Sequence, residues 1–69
     1  MTYVTYKARY IEDVKQEDGK VKPVTRERSG FCITGGDNEQ AIKESIKNVV
    51  NELYGGYLVI VDEYEVHKI

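Results

Sequence analysis

A stretch of alternating polarity followed by a single Asp-Gly pair limits this chain more than any other feature. In "TYVTYKARYI", residues 2–11, Val4, Tyr6, Ala8 and Tyr10 fall on one side of an extended backbone, and Thr5, Lys7 and Arg9 fall on the other. That is the period of a half-buried strand, in residues suited to one. "EDGK" follows, and its Asp18-Gly19 pair favours a two-residue hairpin turn in which both central residues take positive φ. Such a turn pairs Val4 with Ile33, Tyr6 with Phe31 and Ala8 with Ser29, so the apolar residues gather on one face; a slip of one residue would put Phe31 and Ile33 on the wrong side. Pro23 lies near the turn, where its missing N–H is tolerable on an edge strand.

The pattern then changes period. Ile42, Ile46, Val49, Val50 and Leu53 recur at helical spacing, with Lys43, Glu44, Lys47, Asn51 and Glu52 left for solvent. Asp37 is the expected N-cap and Gln40 its capping-box partner, and Gly55-Gly56 ends the helix. "YLVIVDEYEVHKI" closes the chain as a third strand, with Leu58, Ile60, Tyr64 and Val66 sharing parity. The order is β-β-α-β. A helix between the second and third strands makes those two run the same way, so the third can lie antiparallel to the first. The expected fold is therefore α+β: one domain over residues 1–69, a three-stranded antiparallel sheet in the order 2-1-3, and one helix covering one face.

A chain of 69 residues supports one modest core and buries roughly 60% of the surface that its unfolded form exposes. The 41% hydrophobic and 32% charged content is that of a folded, well-solvated globule. The longest apolar run, "YLVIV", is far below the roughly 20 residues that cross a bilayer, and "MTYVTYKARY" lacks a signal-peptide core. A cytoplasmic protein without a membrane partner is expected. Cys32 is the single cysteine, so no internal disulfide can staple the domain.

Motifs for chemistry are sparse. "FCITGGDNEQAI" runs from a strand through a Gly pair into a helix, as phosphate cradles do, but contains neither G-x-G-x-x-G nor a P-loop lysine. Asp37 and Glu39 would instead satisfy the helix N-terminus and repel a phosphate. A Cys32/His67 dyad is the most tempting enzyme reading, since the hairpin register puts both on the open face at one end of the sheet. With the first strand between them they stand about 10 Å apart, beyond hydrogen-bond reach. No Cys or His set has metal-ligand spacing, and Asp62 and Glu63 point to opposite faces of a strand. No catalytic residue, metal or cofactor is assigned.

Charge is the remaining signal. Residues 1–30 hold seven basic and five acidic groups and residues 31–69 hold three and seven, a polarity hidden by the net charge of −2. In the expected register Arg9 faces Arg28 and Ile11 faces Arg26, with Lys7 beside Arg9, and like charges across a strand pair are destabilising. Glu63 and Glu65 could neutralise them within the sheet. Alternatively a basic face of Lys7, Arg9, Arg26 and Arg28, with Tyr3 and Tyr57 near its margin, binds a partner. Tyr and Arg are common interface anchors, and opposed charges give orientation. The reading is a non-enzymatic protein-binding module, a small regulator or inhibitor of the size and character carried by phages and mobile elements, that occupies a surface of a larger protein. Binding of single-stranded RNA or DNA on the basic face is the alternative, a Cys-dependent enzyme a distant third, and the same polarity permits a homodimer.

Overall fold

The computed structural model describes residues 2–68. Strands β1 (Thr2–Lys15) and β2 (Val21–Ile33) form a hairpin, helix α1 (Glu39–Tyr54) follows, and β3 (Tyr57–Lys68) ends the chain. The strands are all antiparallel, in the order β2-β1-β3, and the sheet is open. This is the α+β architecture expected from the residue periods. No helix among the described residues is long and apolar enough to cross a membrane.

The hairpin turn differs from expectation by one residue, with large consequences. The Gly19 amide donates to the Gln16 carbonyl at 3.0 Å and the Gln16 amide to the Lys20 carbonyl at 2.7 Å. Glu17, Asp18 and Gly19 thus form a three-residue loop, a tight turn closed by a left-handed glycine with φ of 85°. A two-residue turn would have required positive φ at Asp18 as well, a cost that the longer loop avoids. The Asp18 carboxylate instead accepts from the Lys20 amide at 2.9 Å. Every pairing shifts accordingly: Val4 faces Cys32, Tyr6 faces Gly30 and Ala8 faces Arg28. All β2 side chains therefore change face relative to the expected register, so that Phe31 and Ile33 are 71% and 62% exposed while Cys32 is 6% exposed.

The core lies between the sheet and α1. Val4, Tyr6, Ala8 and Tyr10 from β1, Cys32 from β2 and Ile42, Ile46 and Val50 from α1 are buried, with Val49, Tyr54, Val59, Val61 and Tyr64 packed around them. The buried helix residues follow an i, i+4 line from Ile42 to Val50 and on to Tyr54, a line that rotates around the helix as it advances. Leu53, expected to face the sheet, falls off this line and is 66% exposed. The N-cap is Asn38 and not Asp37: Asn38 is extended, and its side chain accepts from the Ala41 amide at 2.8 Å. Ala41 occupies the position of a capping-box partner, so Gln40 does not fill that role. At the other end the left-handed Gly55 donates its amide to the Asn51 carbonyl. Gly56 then brings β3 against the Tyr10 ring, where an added Cβ would lie 2.0 Å from Cδ2.

The molecule measures 49 × 15 × 15 Å, because the hairpin outruns the rest of the sheet. Pairing of β1 with β3 ends at Ile11 and Tyr57, whereas pairing with β2 continues to Lys15 and Val21. Residues 12–24 therefore form a two-stranded arm, with Pro23 on its edge strand opposite Asp13.

Candidate interaction face

One helix can cover only one side of a sheet, and the other side is the candidate site. It is made of cross-strand rows. Ile33, Tyr3 and His67 form one row, Phe31, Thr5 and Glu65 the next, and Ser29, Lys7 and Glu63 the third. In the fourth row Arg9 faces Glu27, and on its β3 side a register shift between Lys7 and Ala8 inserts Asp62 as an extra residue. The Arg9 guanidinium donates through Nε and Nη2 to the Asp62 carboxylate at 2.8–3.0 Å. Tyr57, opposite Ile11, donates its hydroxyl to Asp13 Oδ1 at 2.7 Å, a bond that raises the phenol pKa above its ordinary value.

The expected basic face is absent. Arg9 faces Glu27 instead of Arg28, and Ile11 faces Thr25 instead of Arg26. Arg26 and Arg28 share the parity of the buried residues and lie on the helix side, Arg26 paired with Glu12 at 3.0 Å and Arg28 placed 5.3 Å from the Tyr54 ring centre. Lys7 remains on the open face with its Nζ 3.2 Å from Glu27. Its pKa is raised, first by that hydrogen bond, then by the charges of Glu27 and Glu63; Asp62 raises that of Arg9 in the same way. Neutralisation within the sheet thus comes mainly from Glu27 and Asp62, where Glu63 and Glu65 were the expected partners. Glu65 approaches only the His67 ring, at 3.9 Å, and Glu63 forms no ion pair among the described residues.

Apolar and aromatic groups complete the face. Tyr3 stacks on His67 at 4.8 Å with an interplanar angle of 13°, Phe31 and Ile33 project beside them, and Ile60 is exposed at the far end. A shallow depression of about 440 Å³ lies in the middle, bordered by Thr5, Lys7, Ser29, Glu63 and Glu65. Of the residues selected from sequence, the structure brings Tyr3, Lys7, Arg9 and Tyr57 to this face and places Arg26 and Arg28 on the other. It adds Phe31, Ile33, Glu27 and Asp62. The three-residue form of the Asp-Gly turn was the signal for Phe31, Ile33 and Glu27, whereas Asp62 reaches the face through the β3 bulge.

Cys32 and His67, placed on one face by the expected register, lie on opposite faces. Cys32 is buried toward the helix, where burial raises its thiol pKa. His67 Nε2 shares a hydrogen bond with Thr5 Oγ1 at 3.0 Å. Among the described residues no group of three or more His, Cys, Asp or Glu side chains converges as metal ligands would. The fold and this face define a small α+β domain with one solvent-facing sheet surface. No family model, curated protein or solved structure matches the chain.

Proposed function

We propose that this chain is a non-enzymatic, cytoplasmic protein-binding module that seats its open sheet face on a larger protein, as a small regulator or inhibitor would. The observation that carries this reading is the exposure of Phe31 and Ile33 on a sheet face that no element among the described residues covers. Large apolar side chains grouped on one surface lose water when a partner covers them, whereas the fold itself gains little from them. Tyr3 and Tyr57 add aromatic anchors, and Lys7 and Arg9, held by their acids, add a fixed pattern of charge. Arg26 and Arg28 drop out of this surface because they lie on the helix side. The test is affinity capture with mass spectrometry, using the wild type and a Phe31→Ser/Ile33→Ser variant in the presence of nuclease. Recovery of one protein by the wild type and its loss with the variant is expected; equal recovery by both refutes the assignment of this face.

A second reading has one observation in its favour. Tyr3 and Phe31 are ring systems on an exposed sheet, the arrangement on which single-stranded nucleic acids stack their bases. Backbone neutralisation is the other requirement, and here Lys7 and Arg9 already hold carboxylates. Nuclease-sensitive capture would favour this alternative.

A further inference from the structure

We infer that the partner presents a cationic surface, Arg or Lys side chains interleaved with apolar ones, to the open face; this rests on the protein-binding reading above. The argument begins with which charges remain after the internal pairs are formed. Lys7 is held by Glu27 and Arg9 by Asp62. Glu63 and Glu65 are left, the second 81% exposed at its side chain and in reach of an imidazole only. The face that carries the apolar residues is thus net acidic, as is the whole chain at −2.

The position of these carboxylates is specific. In the row across residue 5, Thr5 is flanked by Phe31 on β2 and by Glu65 on β3, each about 4.8 Å away across the sheet. In the next row Lys7 lies between Ser29 and Glu63. The depression of about 440 Å³ spans these two rows, and its β3 wall is formed by Glu63 and Glu65. A guanidinium seated above Thr5 has the exposed Phe31 side chain on the neighbouring strand, where a cation–π contact can form, and carboxylates on the other side, which accept its N–H groups. Apolar residues beside it on the partner would cover Phe31 and Ile33. An anionic partner would instead meet Glu63 and Glu65 directly, and would have to share Lys7 with Glu27 or Arg9 with Asp62. A second copy docked face to face would bring the same acidic rows toward each other.

The experiment is an NMR titration of the 15N-labelled full chain with three probes: a capped Val-Arg-Val-Arg-Val peptide, its Val-Glu-Val-Glu-Val counterpart, and a ten-residue oligothymidine. The expected result is that only the Arg peptide shifts the amides of Thr5, Ser29, Phe31 and Glu65. The Glu63→Gln/Glu65→Gln variant, which alters exposed groups only, should weaken it by about five- to tenfold, the loss of two exposed ion pairs. If the Glu peptide shifts these amides at equal or lower concentration, the cationic assignment is overturned while the protein-binding face stands. Shifts caused by the oligonucleotide overturn both. Shifts at this face on dilution of the protein alone assign it to a second copy and overturn the inference, and so does a face that no probe perturbs at millimolar concentration.

Discussion

Replacing Phe31 and its neighbour Cys32 in turn decides which register the hairpin adopts. With 71% of its surface exposed, Phe31 gains less than a third of the 1.5–3 kcal/mol that full burial of such a side chain contributes, so Phe31→Ala should cost about 0.4–0.9 kcal/mol. In the register expected from a two-residue turn the same ring would lie under the helix, and its removal would cost about 3–5 kcal/mol. Cys32 gives the opposite reading. It is 6% exposed, and Cys32→Ser places a hydroxyl among apolar groups, at a cost of about 1–3 kcal/mol. A domain of this size has only about 4–10 kcal/mol in total, so these outcomes are well separated in urea unfolding followed by circular dichroism. The wild-type thiol should also resist a disulfide reagent at about pH 8 until the chain unfolds, being both shielded and held protonated by burial. A loss above about 2 kcal/mol for Phe31→Ala, together with less than 0.5 kcal/mol for Cys32→Ser, would refute the three-residue loop and the open face built on it.

Two further outcomes test the core. Ile46→Ala should cost about 2–5 kcal/mol and Leu53→Ala less than about 1 kcal/mol, since the first is fully buried and the second 66% exposed; equal losses in the same unfolding assay would mean that the helix presents a different stripe. Stability should be level from about pH 6 to 8 and decline in alkali: burial raises the pKa of Cys32 and of Tyr6 from ordinary values of 9.0 and 10.0, so the unfolded chain releases these protons first and the advantage of the neutral folded forms is lost as pH rises through the folded values. In a folded Cys32→Ala variant the decline should begin only near the tyrosine range, and an unchanged onset would remove the thiol from the account.

The elements were legible in the sequence because their periods are clean. Val4, Tyr6, Ala8 and Tyr10 alternate without interruption, and Ile42, Ile46 and Val50 recur every fourth residue, so β1, the helix and their buried faces follow from spacing. β3 does not keep the shared parity of Leu58, Ile60, Tyr64 and Val66, because its register shifts leave Leu58 and Ile60 exposed and pack Val59, Val61 and Tyr64 on the core. The site was less legible because β2 does not determine its own register. "TRERS" is polar on both faces, and its apolar end offers two solutions: Phe31 and Ile33 inside, or Cys32 alone. Hydrophobicity favours the first. The backbone chooses the second, since the hairpin needs positive φ at Gly19 only and Asp18 keeps an ordinary conformation. Pairwise charges then inverted with the register, and Arg9 found Glu27 across the sheet. The Arg9–Asp62 pair depends in addition on the β3 bulge, which a clean alternation does not encode. The shift from Asp37 to Asn38 at the helix start is smaller in kind, because either side chain could accept from the first turn and the loop length decides.

The distribution of charge and apolar surface around this sheet separates two kinds of association. An unpaired edge strand invites indiscriminate pairing with other chains, and charged residues along it are a common defence. β2 is such an edge, and its middle is Arg26, Glu27 and Arg28. These charges are satisfied inside the molecule by Glu12, Lys7 and the Tyr54 ring, so they blunt the edge at no electrostatic cost to the fold. The flat face of the same strand receives no such protection. Phe31 and Ile33 stand in water two and four residues beyond Ser29, where a polar residue would be equally compatible with the strand and safer for solubility. Charges along the β2 edge thus coexist with apolar side chains on the open face of the same strand, a surface with something to gain from being covered. Stability does not account for that asymmetry, since the eight buried core residues all lie on the helix side of the sheet or on α1 itself. The proposed recognition role would account for it, and under that proposal the carboxylates of Glu63 and Glu65 beside the apolar row would make the choice of partner depend on charge as well as on area.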